Sequence, residues 1–214
     1  MDRLKVTALL CSPIVTGGGY MTLDSLLAGI IFDRTGDLEK AHAEIPLASV
    51  GGLWHGSAAI VEKIDTGRKA FVANLRAMHD LEHELVEKNR QGKVHTTLGL
   101  TRRRQFGAVM NSYRAFAAPS VTWYATGDAS KIDELLKGVE FIGKRRASGY
   151  GQVTGVRIEK DELDGVVGHF GEPLRPVPVE MFRGDNTALR ADAAWRPAYW
   201  NPVNRAVCFV PEAV

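Results

Sequence analysis

The stretch Gly143-Lys144-Arg145-Arg146-Ala147-Ser148-Gly149-Tyr150-Gly151 sets three contiguous cations and a serine before a Gly-aromatic-Gly exit. Glycines let a backbone approach a phosphate closely and present its N–H groups, while Lys and Arg neutralise the charge. Two familiar phosphate motifs fail here. A P-loop needs Gly-Lys-Ser/Thr after a four-residue spacer, which Gly149-Tyr150 does not supply. A dinucleotide fingerprint begun at Gly149 needs glycine at 154, where Thr154 stands. What remains is a basic, Gly-rich loop with an aromatic at its hinge, suited to an extended polyanion. A solvated basic turn is the other reading.

A second stretch, Thr101-Arg102-Arg103-Arg104-Gln105-Phe106, runs on to Tyr113-Arg114-Ala115-Phe116. Arginines interleaved with aromatics supply both phosphate neutralisation and stacking surface, the latter worth ~1–3 kcal/mol per base. The windows 101–119 and 143–157 each hold four Lys/Arg and no acid. They carry +8 together, so the other 180 residues sum to −6 beneath a net charge of only +2. Such segregation is the footprint of a focused nucleic-acid groove, and it excludes only indiscriminate binding. Two unrelated surface turns are the alternative.

The histidines carry less. His79 and His83 are spaced i, i+4, but Glu87 stands where a zinc-protease motif needs its second histidine. His55, in Trp54-His55-Gly56-Ser57, enters a strand; a neutral imidazole there could serve as general base on a ribose 2′-OH, and a capping or stacking role competes. His42 and His169 default to the surface. Cys11 and Cys208 are too isolated for a zinc site and are expected to be reduced, buried, inert thiols. Neither a metal nor a cofactor is expected.

Residues 4–10 read as a strand, ended by Ser12-Pro13 and the Gly17-Gly18-Gly19 run. Apolar residues at 23, 26, 27, 30 and 31 predict a helix with Thr22 as N-cap. Residues 33–46 read as polar loop. Residues 55–62 and 68–73 read as strands of a hairpin joined by Asp65-Thr66-Gly67. A helical pattern spans 74–90 and a strand 120–126. Asp128 or Ser130 caps a short helix that ends at Gly138, and strands follow at 152–159 and 205–210. The order strand–helix–strand–strand, then strand–helix–strand, predicts ferredoxin-like (RRM-related) α+β units. A hydrophobic content of 45% and a charged content of 24% exclude disorder. No apolar run nears the length of a membrane span. The acid and Lys5 in the first residues argue against an export signal, so a cytoplasmic protein is expected.

The N-terminal strand, the Thr22-Leu23-Asp24-Ser25-Leu26-Leu27-Ala28 helix, the Trp54-His55-Gly56-Ser57-Ala58 strand entry and the loop 143–151 together resemble the RAMP superfamily of CRISPR proteins. In plan and length the chain is most similar to the Cas-five-like subunit of type IV CRISPR effector complexes. The resemblance covers most of residues 1–160; Ile142 stands where the fullest family pattern has a further glycine. It implies a βαββαβ ferredoxin-like core over 1–160, with a thumb-like insertion at about 80–119; residues 161–214 fall outside the resemblance and are expected to form a C-terminal extension packing on the core. It implies a subunit that holds the 5′ handle of a guide RNA (crRNA) and caps a filament of backbone RAMP subunits. A large subunit would be a further partner, target DNA would be met indirectly, and no membrane is involved. Gly143, Lys144, Arg145, Arg146, Ser148, Gly149, Tyr150 and Gly151, with Arg102, Arg103 and Arg104, are the implied RNA-binding residues. The alternative within the same superfamily is a metal-independent guide-processing endoribonuclease using His55 or His42. Outside it, a small-molecule enzyme or scaffold with an accidental basic loop remains.

Overall fold

The first strand, β1 (Asp2–Leu10), alternates buried Leu4, Val6 and Ala8 with more exposed neighbours, so one face enters the core. The computed structural model describes residues 1–73, 90–92 and 109–212. After a two-residue strand, β2 (Ile14–Val15), the Thr22 side chain accepts from the Ser25 N–H and starts α1 (Leu23–Thr35). Leu23, Leu27, Ala28 and Ile31 turn inward, and Gly36, at φ 67°, ends the helix in the left-handed conformation.

The expected loop over 33–46 contains a second helix, α2 (Leu38–Ala43). Asp37 accepts from the N–H groups of Glu39 and Lys40, which nucleates a turn too short to leave a periodic apolar signal. The chain continues through β3 (Ser49–Val50), β4 (Leu53–Trp54), β5 (Ile60–Val61), β6 (Asp65–Ala73), β7 (Val109–Ala117) and β8 (Ser120–Gly127). Next come α3 (Ala129–Leu136), capped by Asp128, and β9 (Val153–Lys160). The tail adds β10 (Val177–Pro178), β11 (Arg190–Ala194) and β12 (Arg205–Phe209).

The result is a mixed α/β fold with few helices and antiparallel sheets. The main sheet has the order β5-β8-β1-β9, with β1 antiparallel to both neighbours and β5 antiparallel to β8. Its buried face, with Val6, Val121 and Trp123, packs against Leu23 and Leu27 of α1 and Ile132 and Leu136 of α3. Trp123 donates its indole N–H to the Met21 carbonyl at 3.0 Å, so the largest core side chain leaves no buried donor unpaired. A second sheet, β10-β12-β11, covers a smaller core in which the Phe182 and Phe209 rings lie 4.8 Å apart.

The expected hairpin does not form. β5 joins the main sheet, whereas β6 neighbours β7 in a separate sheet. Asp65, Thr66 and Gly67 belong to β6 itself, and Gly67 lacks the positive φ that a tight hairpin turn demands. The chain divides into two compact units, Met1–Gly67 with Ala115–Val214, and Arg68–Arg114. In the smaller unit Phe71 and Tyr113 meet edge to face at 5.9 Å. Among the described residues no helix is long and apolar enough to cross a membrane.

Candidate functional site

The basic loop is held at its base by backbone bonds to the segment leaving β1. Ile142 donates to the Gly151 carbonyl at 2.9 Å, Gly151 to Pro13 at 2.9 Å, and Lys144 to Val15 at 2.7 Å. The Ile142 side chain is buried in the core, which accounts for an apolar residue where the fullest pattern has glycine. Gly143 (φ 82°) and Gly151 (φ 72°) are required by this closure. A Cβ on Gly143 would come within 2.7 Å of the Val15 oxygen, and one on Gly151 would collide with the Ile142 oxygen. Arg145 is itself left-handed at φ 62° and leads into a 3₁₀ turn, Arg146–Ser148, ended by Gly149. Lys144, Arg146, Ser148 and Gly149 are exposed at the tip, with Arg145 and Tyr150 half-buried.

This geometry makes a stability prediction. Gly149→Ala, whose Cβ meets nothing within 4 Å, should cost only the left-handed penalty of about 1–2 kcal/mol. Gly151→Ala adds a backbone collision and should cost roughly 1–3 kcal/mol more. Urea midpoints of the two variants test the difference; equal midpoints would contradict the closure.

The Lys144 side chain lies along Gly17, where a Cβ would meet its Cε at 2.8 Å. The basic loop and the glycine run, 126 positions apart, therefore form one surface. Between them and α1 opens a cleft of about 430 Å³, lined by Gly17, Gly18, Gly19, Lys144 and Arg146. Glycine backbone and cations at one mouth can take a chain of phosphates.

Sequence reasoning missed a second cluster, beneath the start of α1. Arg175 is fully buried; one terminal nitrogen donates to Asp24 at 3.0 Å, to the Gly56 carbonyl at 2.9 Å and to the Trp54 carbonyl. The other donates to the Trp195 carbonyl and to the Tyr199 hydroxyl, each at 2.8 Å. Tyr199 donates to Asp24 and accepts from Thr22 at 2.9 Å. Burial alone would lower the Arg175 guanidinium, but the charge of Asp24 and its bond to Tyr199 outweigh that and hold it above its ordinary range. Burial, reinforced by Asp24, pushes the Tyr199 hydroxyl far up, so it stays a protonated donor. Trp54, Gly56 and the Thr22-Leu23-Asp24 helix start, all residues of the family-like pattern, thus converge on one arginine of the tail. An aspartate inside an otherwise apolar helix face was the available signal.

Arg102, Arg103 and Arg104 lie outside the described residues, as do His79 and His83. His55 is half-buried, with Nδ1 3.8 Å from an Asp164 carboxylate oxygen, and His42 is a half-buried residue of α2. Neither histidine lines the cleft. No group of three or more metal-ligating side chains occurs among the described residues.

The cysteines part company with expectation. Cys208 is buried, but Cys11 is exposed: it lies just past the end of β1, one residue after the register shift at Leu9/Leu10. Burial, with Glu180 and Asp192 nearby, pushes the Cys208 thiol up to about 11. A maleimide at about pH 8 should therefore label Cys11 alone in the native chain and both thiols after denaturation. Because the Cys208 value is raised on folding, the stability it contributes is present below the unfolded value of ~8.5 and is lost as pH rises towards the folded one. Mass spectrometry of labelled peptides checks this; rapid native labelling of Cys208 would contradict its burial.

No curated protein matches the chain. The family model of CRISPR type IV associated protein Csf3 matches residues 2–211, nearly end to end, and the chain belongs to that family, the Cas-five-like RAMP subunit of type IV CRISPR systems.

Proposed function

We propose that this subunit binds the repeat-derived 5′ handle of the guide RNA through the loop 143–151 and caps one end of the backbone filament. The observation that carries this reading is the union of the basic loop with the glycine run, Lys144 laid along Gly17. Lys144, Arg145 and Arg146 hold handle phosphates, Gly143, Gly149 and Gly151 admit the RNA backbone, and Ser148 and Tyr150 supply a hydroxyl and a stacking ring. We read the core as ferredoxin-like. Its succession β1, α1, β5, β8, α3, β9 with sheet order β9-β1-β8-β5 supports that reading. The insertion at about 80–119 acts as the thumb on the first guide nucleotides, with Arg102, Arg103 and Arg104 as its contacts. Residues 161–214 act as an extension locked to the core by Arg175 and Tyr199. Backbone RAMP subunits and a large subunit are the protein partners, target DNA is met through the guide, and the complex works in the cytoplasm.

Expression with the neighbouring genes, followed by sequencing of copurifying small RNA, tests the proposal. A bound species carrying a uniform repeat-derived 5′ end is the expected result, and its loss on replacing the three cations locates the site. Absence of RNA from the purified complex would sink the reading. Cleavage of repeat RNA in chelator, abolished by His55→Ala, would replace it with the endoribonuclease.

A further inference from the structure

The cleft beside the basic loop does not stop at the glycine run. A second lobe of about 500 Å³ continues along α1 to Lys137 and Gly138, just beyond α3. The two lobes share a waist formed by five residues: Leu26, Ile30, Asp33, Phe141 and Arg146. Leu26 and Ile30 are apolar and half-buried, Phe141 is a half-buried ring, and Arg146 is an exposed cation. Asp33, at the waist, is an exposed carboxylate among the cations that line the track, and Glu140 is a second one, confined to the far lobe. A cleft meant only to attract phosphates gains nothing from a carboxylate, which repels them. An apolar and aromatic patch, a cation and a carboxylate lining one waist is the chemistry of one nucleotide: a base, its phosphate, and an acceptor for the base edge.

We infer that this waist seats a single nucleobase of the bound RNA and that Asp33 makes it select guanine. A carboxylate can accept two parallel hydrogen bonds from a partner that offers two adjacent N–H donors, and the guanine Watson–Crick edge offers N1–H and N2–H. Uracil offers one N–H between two carbonyl oxygens, which a carboxylate repels. Adenine and cytosine each present an amino group beside an acceptor. Arg34 continues the track on the far side, its guanidinium fixed by the Leu135 carbonyl at 2.9 Å. Asp33 is thus a specificity-determining residue, while Lys144 and Arg146 set affinity. The inference rests on the RNA-binding reading of the same site.

The test uses the full chain and two fluorescent probes, a short polyuridine RNA and the same RNA with one central guanosine. The native chain should bind the guanosine RNA about tenfold more tightly, the discrimination expected of one bidentate base contact. Asp33→Asn keeps the side-chain shape and lies on an exposed helix position, so it folds. It should erase the preference while keeping or tightening polyuridine binding, since a charge that repels phosphate is gone. Lys144→Ala with Arg146→Ala should weaken both RNAs equally, flatten the salt dependence and keep the preference. If that double variant weakens binding while Asp33→Asn keeps the guanosine preference, or if the native chain shows none, the base-seat inference is overturned and the RNA reading stands. If neither RNA binds the native chain, both fall together.

Discussion

Arg175→Met is expected to cost roughly 3–5 kcal/mol of folding stability, the loss typical of stripping one partner from a buried ion pair. The side chain is fully buried, and removing it leaves the Asp24 carboxylate without its cation, facing the low-dielectric core. It also orphans the Gly56 and Trp195 carbonyls that the guanidinium satisfies, while the Trp54 carbonyl keeps the Gly56 N–H at 3.0 Å. Asp24→Leu alone should be similarly harmful, since it strands the guanidinium. The double variant Asp24→Leu/Arg175→Met should recover much of the loss, because two apolar groups replace two charges. Recovery is incomplete, since the Gly56 and Trp195 carbonyls stay unpaired. Urea denaturation of the three variants reads these values. Additive losses in the double variant would show that the two charges do not stabilise one another. In the native chain Arg175 Nε has no partner among the described residues, so the pair already bears one desolvated donor.

Replacing Lys144, Arg145 and Arg146 together with alanine is expected to weaken guide-RNA binding roughly 100-fold at low salt, at about 1 kcal/mol per exposed contact. The salt dependence is the more diagnostic quantity. Three neutralised phosphates on a single strand contribute about two to the slope of log affinity against log salt. A fourfold rise in salt should therefore shrink the difference between native and variant chains by about 16-fold. Fluorescence anisotropy across a salt series measures it. A variant whose slope equals that of the native chain would remove the loop from the proposed RNA site. Since Arg145 is left-handed at φ 62°, a companion with Arg145→Gly separates charge loss from backbone strain.

The elements governed by neighbours a few residues away were legible in the chain. The Thr22 and Asp128 caps, the Gly138 stop, the period-two burial of β1 and β8, and the basic loop all lie where local pattern puts them. What local pattern missed was settled at long range. β5 chose β8 rather than β6; α2, by contrast, is local, but its single cap gives too few residues for a periodic signal. Cys11 lies exposed just past the end of β1, one residue after the register shift. The family resemblance shows the same division. Its readable motifs end near residue 160, yet the family match runs to 211. The tail's Arg175 and Tyr199 are part of the structure that the motifs build, as the partners of Asp24 and Thr22.

The charge segregation, the glycine placement and the helix starts were therefore determined by the sequence itself, because each depends on residues within a turn or a short window. Only the tertiary structure decided that Lys144 lies along Gly17, and that Asp33 and Arg146 share the waist of one cleft. The same holds for Arg175, which meets Asp24 across 151 positions of chain. No spacing rule encodes such pairs; they come together when the sheet and its helices bury a common core, and that burial turns a basic loop into a shaped surface.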